Sequence, residues 1–147
     1  MEGSTPAPGD GTDVPADDVS VANGTELFRR VPPAHYKLEN GRYVVRDGAF
    51  KNFPHPERKR MSVALGDTLE QAGDAPETVV HGMPEYGLVS VTAGFAREQD
   101  QRVERAPEEG FEAHGNVFGD KSASRRKQFA KEARWVAEPR TEDPATD

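Results

Sequence analysis

Any chemistry in this chain of 147 residues must come from its histidines, carboxylates, hydroxyls and bases, because it contains no cysteine. Disulfides and thiolate metal sites are therefore excluded by composition. His35, His55, His81 and His114 stand singly, with neither HExxH nor HxH among them, so no metal site and no cofactor is expected. His114 stands out from the other three: it sits in the short apolar segment 113–118 and is followed by Gly115. GxSxG, a Walker loop and GxGxxG are all missing, which leaves hydrolase, P-loop and dinucleotide readings without a local motif. Glu108, Glu109 and Glu112 cluster, but Pro107 and Gly110 mark a solvated acidic loop rather than a catalytic carboxylate pair.

A second constellation is basic. Lys121, Ser122, Ser124, Arg125 and Arg126 open a predicted helix, where the macrodipole already presents positive charge. Bases there cost about 0.3–1 kcal/mol each at low salt, and a bound anion would offset that cost. These five residues are the anion-binding candidates, with nucleic acid or another polyanion as the implied class. Residues 57–60, with Phe53 and His55 nearby, form another basic patch. Against nucleic acid, acids outnumber bases 26 to 19, and acidic tails would compete with phosphate. A third constellation is an alternative small-enzyme reading. It places Arg29, Ser62 and His114, each on a separate strand, in one cleft.

The elements that must position these groups lie in the middle of the chain. The formal charge of −7 sits in the ends. Residues 1–24 contain acids and no base, and residues 138–147 contain Glu138, Glu142, Asp143 and Asp147 against Arg140. Few branched apolar residues and many prolines and glycines predict disordered acidic tails at 1–24 and 138–147. They flank a single domain at 25–137 that is close to neutral. With no basic n-region, no apolar h-region and no long apolar run, the chain is expected to be soluble and cytoplasmic, with no membrane segment.

Glu26–Val31, ended by Pro32-Pro33, reads as a first strand. Asn40-Gly41 between short apolar stretches predicts a tight hairpin, since a type I′ turn needs positive φ at both central residues. Met61–Leu65 alternates with period two and reads as a half-buried strand. Residues 67–82 carry one or two helical turns around Leu69 and Val79-Val80, broken by Gly73 and Pro76. Tyr86–Thr92 is the clearest strand, Ala93–Gln99 a short helix, Gln101–Arg105 an edge strand, and Ala113–Phe118 a further strand. A last helix runs from Ser122 or Ser124 to about Ala137, with Phe129, Ala133 and Val136 as its core stripe and Lys127, Lys131 and Arg134 on its outer face. This order predicts an α+β fold: a single small domain with a largely antiparallel sheet and a C-terminal helix.

Several short pieces, taken in order, resemble a family of short prokaryotic proteins without assigned function. They are Leu27-Phe28-Arg29-Arg30-Val31-Pro32, Ala49-Phe50, Met61-Ser62-Val63, residues 87–93, His114, Gly119-Asp120-Lys121 and Ser124. The resemblance covers about residues 26–137 and implies no activity. Similar proteins are expected to carry serines before the Ala-Phe pair, where this chain has Asp47-Gly48. The expectation from sequence is thus a small non-enzymatic interaction or accessory protein with a protein partner, ahead of the polyanion and enzyme alternatives.

Overall fold

Alternation along the first strand sets the architecture. In the computed structural model, which describes residues 16–52 and 60–140, β1 (Glu26–Val31) aims Leu27, Arg29 and Val31 to one side and Phe28 and Arg30 to the other. It lies inside a six-stranded antiparallel sheet made with β4 (Arg60–Leu65), β5 (Gly87–Thr92), β6 (Arg102–Arg105), β7 (His114–Phe118) and β8 (Arg134–Ala137). The spatial order is β6-β7-β4-β1-β5-β8. The fold is α+β, as the sequence predicts. β2 (Tyr36–Glu39) and β3 (Arg42–Val45) form the expected hairpin as a separate two-stranded ribbon, with Asn40 and Gly41 at φ 53° and 79°.

One face of the large sheet is fully covered. Leu27, Val31, Met61, Val63, Leu65, Val89 and Val117 pack there against Phe50 of the 3-10 turn Asp47–Phe50. Phe95 and Ala96 of α2 (Ala93–Glu98) and Phe129 of α3 (Ala123–Glu132) complete that cover. The opposite face is covered only in part. Phe28, Ala64 and Leu88 lie under Leu69 of α1 (Gly66–Ala72) and Val79 of the 3-10 turn Pro76–Val80. Over β4, β7 and β6 that second face carries polar side chains instead, including Ser62, His114, Asn116 and Glu104.

Two boundaries differ from the sequence reading. The structured region does not begin at residue 25. Val21 is 0% exposed within the covered core, and the Asp17–Asp18 segment runs along the sheet edge. There the Asp18 amide donates to Val103 O at 2.9 Å and Asp17 Oδ1 accepts from the Val103 amide at 3.0 Å. Edge strand β6 is thereby closed to further pairing. So few branched apolar residues are too weak a sequence signal to mark this segment, which is held by the buried Val21, the satisfied β6 edge, and Arg97 and Arg105 on Asp17 and Ser20. The other expected tail also docks, since the Arg140 amide donates to Pro84 O at 2.7 Å. Residues 1–15, 53–59 and 141–147, which hold most of the expected tails and most of the second basic patch, lie outside the described residues.

The last helix is shorter than the periodicity predicts. It ends at Glu132, Ala133 is extended, and residues 134–137 pair with β5. Trp135 and Val136 accordingly fall on opposite faces of the sheet, and the supposed core stripe and basic stripe both break at Ala133. Unpaired backbone along β5 and two strand-forming side chains outweigh the helical spacing. Trp135 locks the arrangement, stacking edge-on with Tyr36 and Tyr43 and donating from Nε1 to Tyr43 O at 3.0 Å.

Replacing Val21 by alanine should lower the free energy of unfolding by about 2 kcal/mol, the cost of a buried valine and its residual cavity. Urea denaturation measures this. A variant within 0.5 kcal/mol of wild type would contradict the docking of the N-terminal segment.

Candidate functional site

The pairing of β4 with β7 places Ser62 opposite Asn116 and Ala64 opposite His114. Ser62 and His114 are therefore diagonal neighbours on one face, within reach of each other's side chains. Ser62 Oγ lies 3.1 Å from His114 Nε2. The other ring nitrogen, Nδ1, lies 2.8 Å from the carbonyl oxygen of Ala106, which can only accept. Nδ1 must then carry the proton, so Nε2 offers its lone pair and the Ser62 hydroxyl donates to it. Glu108 Oε2 stands 3.5 Å from the same Nδ1. Ser62 is exposed whereas His114 is 8% exposed, so a reachable hydroxyl is backed by a held imidazole.

The β6–β7 connection holds the base in place. Glu108 and Phe111 exchange backbone hydrogen bonds of 3.1 and 2.9 Å around Gly110, whose φ of +83° suits a residue without a Cβ. This tight loop sets Glu108 beside Nδ1 and the Phe111 ring 5.5 Å from the imidazole. Sequence reasoning missed Glu108, assigning it to a solvated loop. Only its spacing from His114 across a turn could have pointed to it.

The small-enzyme cleft expected from Arg29, Ser62 and His114 is met by two of its three members. Arg29 has the same parity as Leu27 and Val31 and leaves from the covered face, where its Nε donates to Ala49 O at 2.9 Å. It reaches only the main chain of Ser62, donating from Nη1 to the carbonyl oxygen at 2.8 Å. The cation on the Ser62 face is its neighbour Arg30, which sequence reasoning left without a role. Arg30 lines a shallow pit of about 60 Å³ together with Ser62, Val79 and Phe111. Asn116, 4% exposed, donates from Nδ2 to Glu104 Oε2 at 3.0 Å, and its buried Oδ1 has no hydrogen-bond partner among the described residues.

Four of the five anion-binding candidates, Lys121, Ser122, Arg125 and Arg126, are engaged within the chain. Ser122 caps α3, its Oγ accepting from the Arg125 amide at 3.2 Å. Arg125 pairs with Asp100 at 2.5 Å and Asp120 at 3.6 Å, and Arg126 pairs with Asp47 at 3.3 Å. Ser124 is exposed on the first turn. Lys121 is buried, and its Nζ donates to Asn52 Oδ1, Val117 O and Gly119 O at 2.5, 3.1 and 3.2 Å. Carboxylates from three separate loops thus supply the charge that an external anion would have supplied. Among the described residues no cluster of histidines and acids is arranged to hold a metal ion, and no helix is long and apolar enough to cross a membrane.

No protein-family model, curated protein or solved structure matches this chain.

Burial, with the Arg29 charge adding to it, holds the Lys121 ammonium down to about 7 from its ordinary 10.5. Between those values the unfolded chain binds more protons than the folded one, so this group makes stability rise as pH rises from about 7. Urea midpoints taken at near-neutral pH and again well above it should show wild type gaining relative to Lys121→Met. Parallel pH profiles for the two proteins would contradict the burial of a strained ammonium.

Proposed function

We propose that this protein is a serine-dependent acyl-transfer enzyme, a hydrolase of small esters or amides, with Ser62 as nucleophile and His114 as its base. The 3.1 Å contact between Ser62 Oγ and His114 Nε2, with Nδ1 fixed by Ala106 O and faced by Glu108, carries this reading. A serine hydroxyl is a weak nucleophile until a base accepts its proton, and a base serves only if its free lone pair faces the hydroxyl. Here the backbone carbonyl of Ala106 imposes that tautomer.

In the proposed reaction Oγ forms a bond to the substrate carbonyl carbon while the hydroxyl proton passes to Nε2. Collapse of the tetrahedral intermediate breaks the bond to the leaving alcohol or amine, which takes that proton from Nε2, and leaves an acyl-Ser62. Water then attacks the acyl carbon, giving its proton to Nε2. The proton returns to Oγ as the carboxylic acid departs. The imidazolium formed in each half-reaction is stabilised by Ala106 O and by the Glu108 carboxylate. The Ser62–His114 contact supports the enzyme reading over the interaction-protein reading, with Arg29 on the opposite face taking no part in it. The polyanion reading loses support because Asp47, Asp100 and Asp120 occupy its cations.

A fluorophosphonate probe should label Ser62, read by peptide mass spectrometry, and Ser62→Ala should abolish p-nitrophenyl ester hydrolysis. His114→Gln should lower kcat by roughly 10²–10⁴, the usual worth of a general base. Glu108→Gln should cost roughly tenfold or less, since the Ala106 carbonyl keeps the imidazole in register without it. Hydrolysis that survives Ser62→Ala at the wild-type rate would overturn the proposal.

A further inference from the structure

Resting on the Ser62–His114 reading, we infer that the substrate is anionic: Arg30 grips a carboxylate on it, and its body occupies the cavity next to the serine pit. Arg30, Val79 and Phe111 line the Ser62 pit and also a cavity of about 650 Å³ enclosed by α1, the Pro76–Val80 turn and the β6–β7 loop. The two spaces therefore adjoin, with Arg30, Val79 and Phe111 lining both. A volume of this size takes a small organic acid derivative. Thr68, Gln71 and Thr78 give its wall hydrogen-bonding groups and Leu69 gives it an apolar patch, with Asp74 and Glu112 also on the lining.

The state of Arg30 points to its ligand. Its Nε donates to Val79 O at 2.8 Å and its Cζ lies 5.5 Å over the Phe111 ring, so the guanidinium plane is held from two sides. The two Nη groups, with four N–H donors between them, have no acceptor among the described residues, and Arg30 forms no ion pair there. Arg125, Arg126, Arg97 and Arg105 are each paired with an aspartate. A pre-oriented, uncompensated fork beside a nucleophile matches the two oxygens of a carboxylate. In the β1–β4 ladder Phe28 lies opposite Ala64, and Arg30 and Ser62, each two residues away along its strand, lie on that same face. An ester or amide whose carboxylate sits on Arg30 would present its reacting carbonyl near Ser62.

Two measurements test this. In the first, matched p-nitrophenyl esters, the neutral butyrate and the anionic glutarate monoester, are compared by kcat/KM. Wild type should prefer the anionic ester by at least about tenfold, as one charge-assisted contact implies. Arg30→Met should bring the ratio close to one, and Arg30→Lys should restore only part of it, because the ammonium lacks the fork. In the second, calorimetric titration with glutarate should detect binding to Ser62→Ala and none to the Ser62→Ala, Arg30→Met double variant. Circular dichroism and urea midpoints establish that each variant is folded. Glutarate binding that depends on Arg30 without any ester hydrolysis would sustain the anion site and sink the acyl-transfer reading. Ester hydrolysis with the same anionic-to-neutral ratio in wild type and Arg30→Met, or glutarate binding indifferent to Arg30, would overturn the inference alone.

Discussion

The structure depends on the antiparallel register between β4 and β7. Because side chains alternate with period two, this one alignment sends Val63, Leu65 and Val117 into the covered core and Ser62, His114 and Asn116 to the opposite face. A slip of one residue would turn the valines away from the core and carry the serine and histidine into it, so the apolar core enforces the alignment that places Ser62 beside His114. Gly115 tightens the constraint. A side chain there would come within 2.8 Å of Glu104 O and 3.0 Å of Leu65, so the β6–β7–β4 packing admits only glycine. The Ser62–His114 contact is in this sense a by-product of core packing, with its geometry specified by residues on the opposite face.

Unequal cover of the two faces explains where function can reside. α2, α3 and the Asp47–Phe50 turn close one side completely, whereas α1 and the Pro76–Val80 turn close only the β1–β5 half of the other. Polar side chains are tolerated at the uncovered half because Ser62 remains in water and His114 finds acceptors in the β6–β7 loop. Asn116 is the exception: a buried carbonyl oxygen without a donor is a costly feature, and it adjoins the proposed nucleophile. On the closed side the cations are instead consumed internally. Arg29 and Lys121 tie Ala49, Ser62, Val117 and Gly119 carbonyls together, and Arg125 and Arg126 hold α3 against Asp100 and Asp47.

Much of this was legible in the chain where local chemistry and tertiary demand agree. Met61–Leu65 alternates because one face is apolar and the other polar, and Asn40-Gly41 is a turn because both residues accept positive φ readily. Legibility failed where a long-range partner decides the outcome. Residues 134–137 carry acceptable helical spacing, yet the open edge of β5 recruits them as a strand. Val21 resembles any tail valine until the sheet offers it a pocket. Arg29 and Arg30 are indistinguishable in sequence because both faces of β1 hold apolar neighbours, and only the packing of Ala49 against one face and Val79 against the other assigns them. Glu108 was dismissed for its Pro and Gly neighbours, although those same residues make the turn that brings it back to His114.

Ala106 holds the His114 proton on Nδ1, so the ring faces Ser62 with a bare Nε2. Nitrogen-15 NMR of labelled protein, at a pH where the imidazole is neutral, reads this directly from the shifts of the two ring nitrogens. The Nδ1–H tautomer is expected for His114, with an Nε2 resonance that moves when Ser62 is replaced by alanine. An Nε2–H tautomer, or an Nε2 resonance indifferent to that substitution, would contradict it.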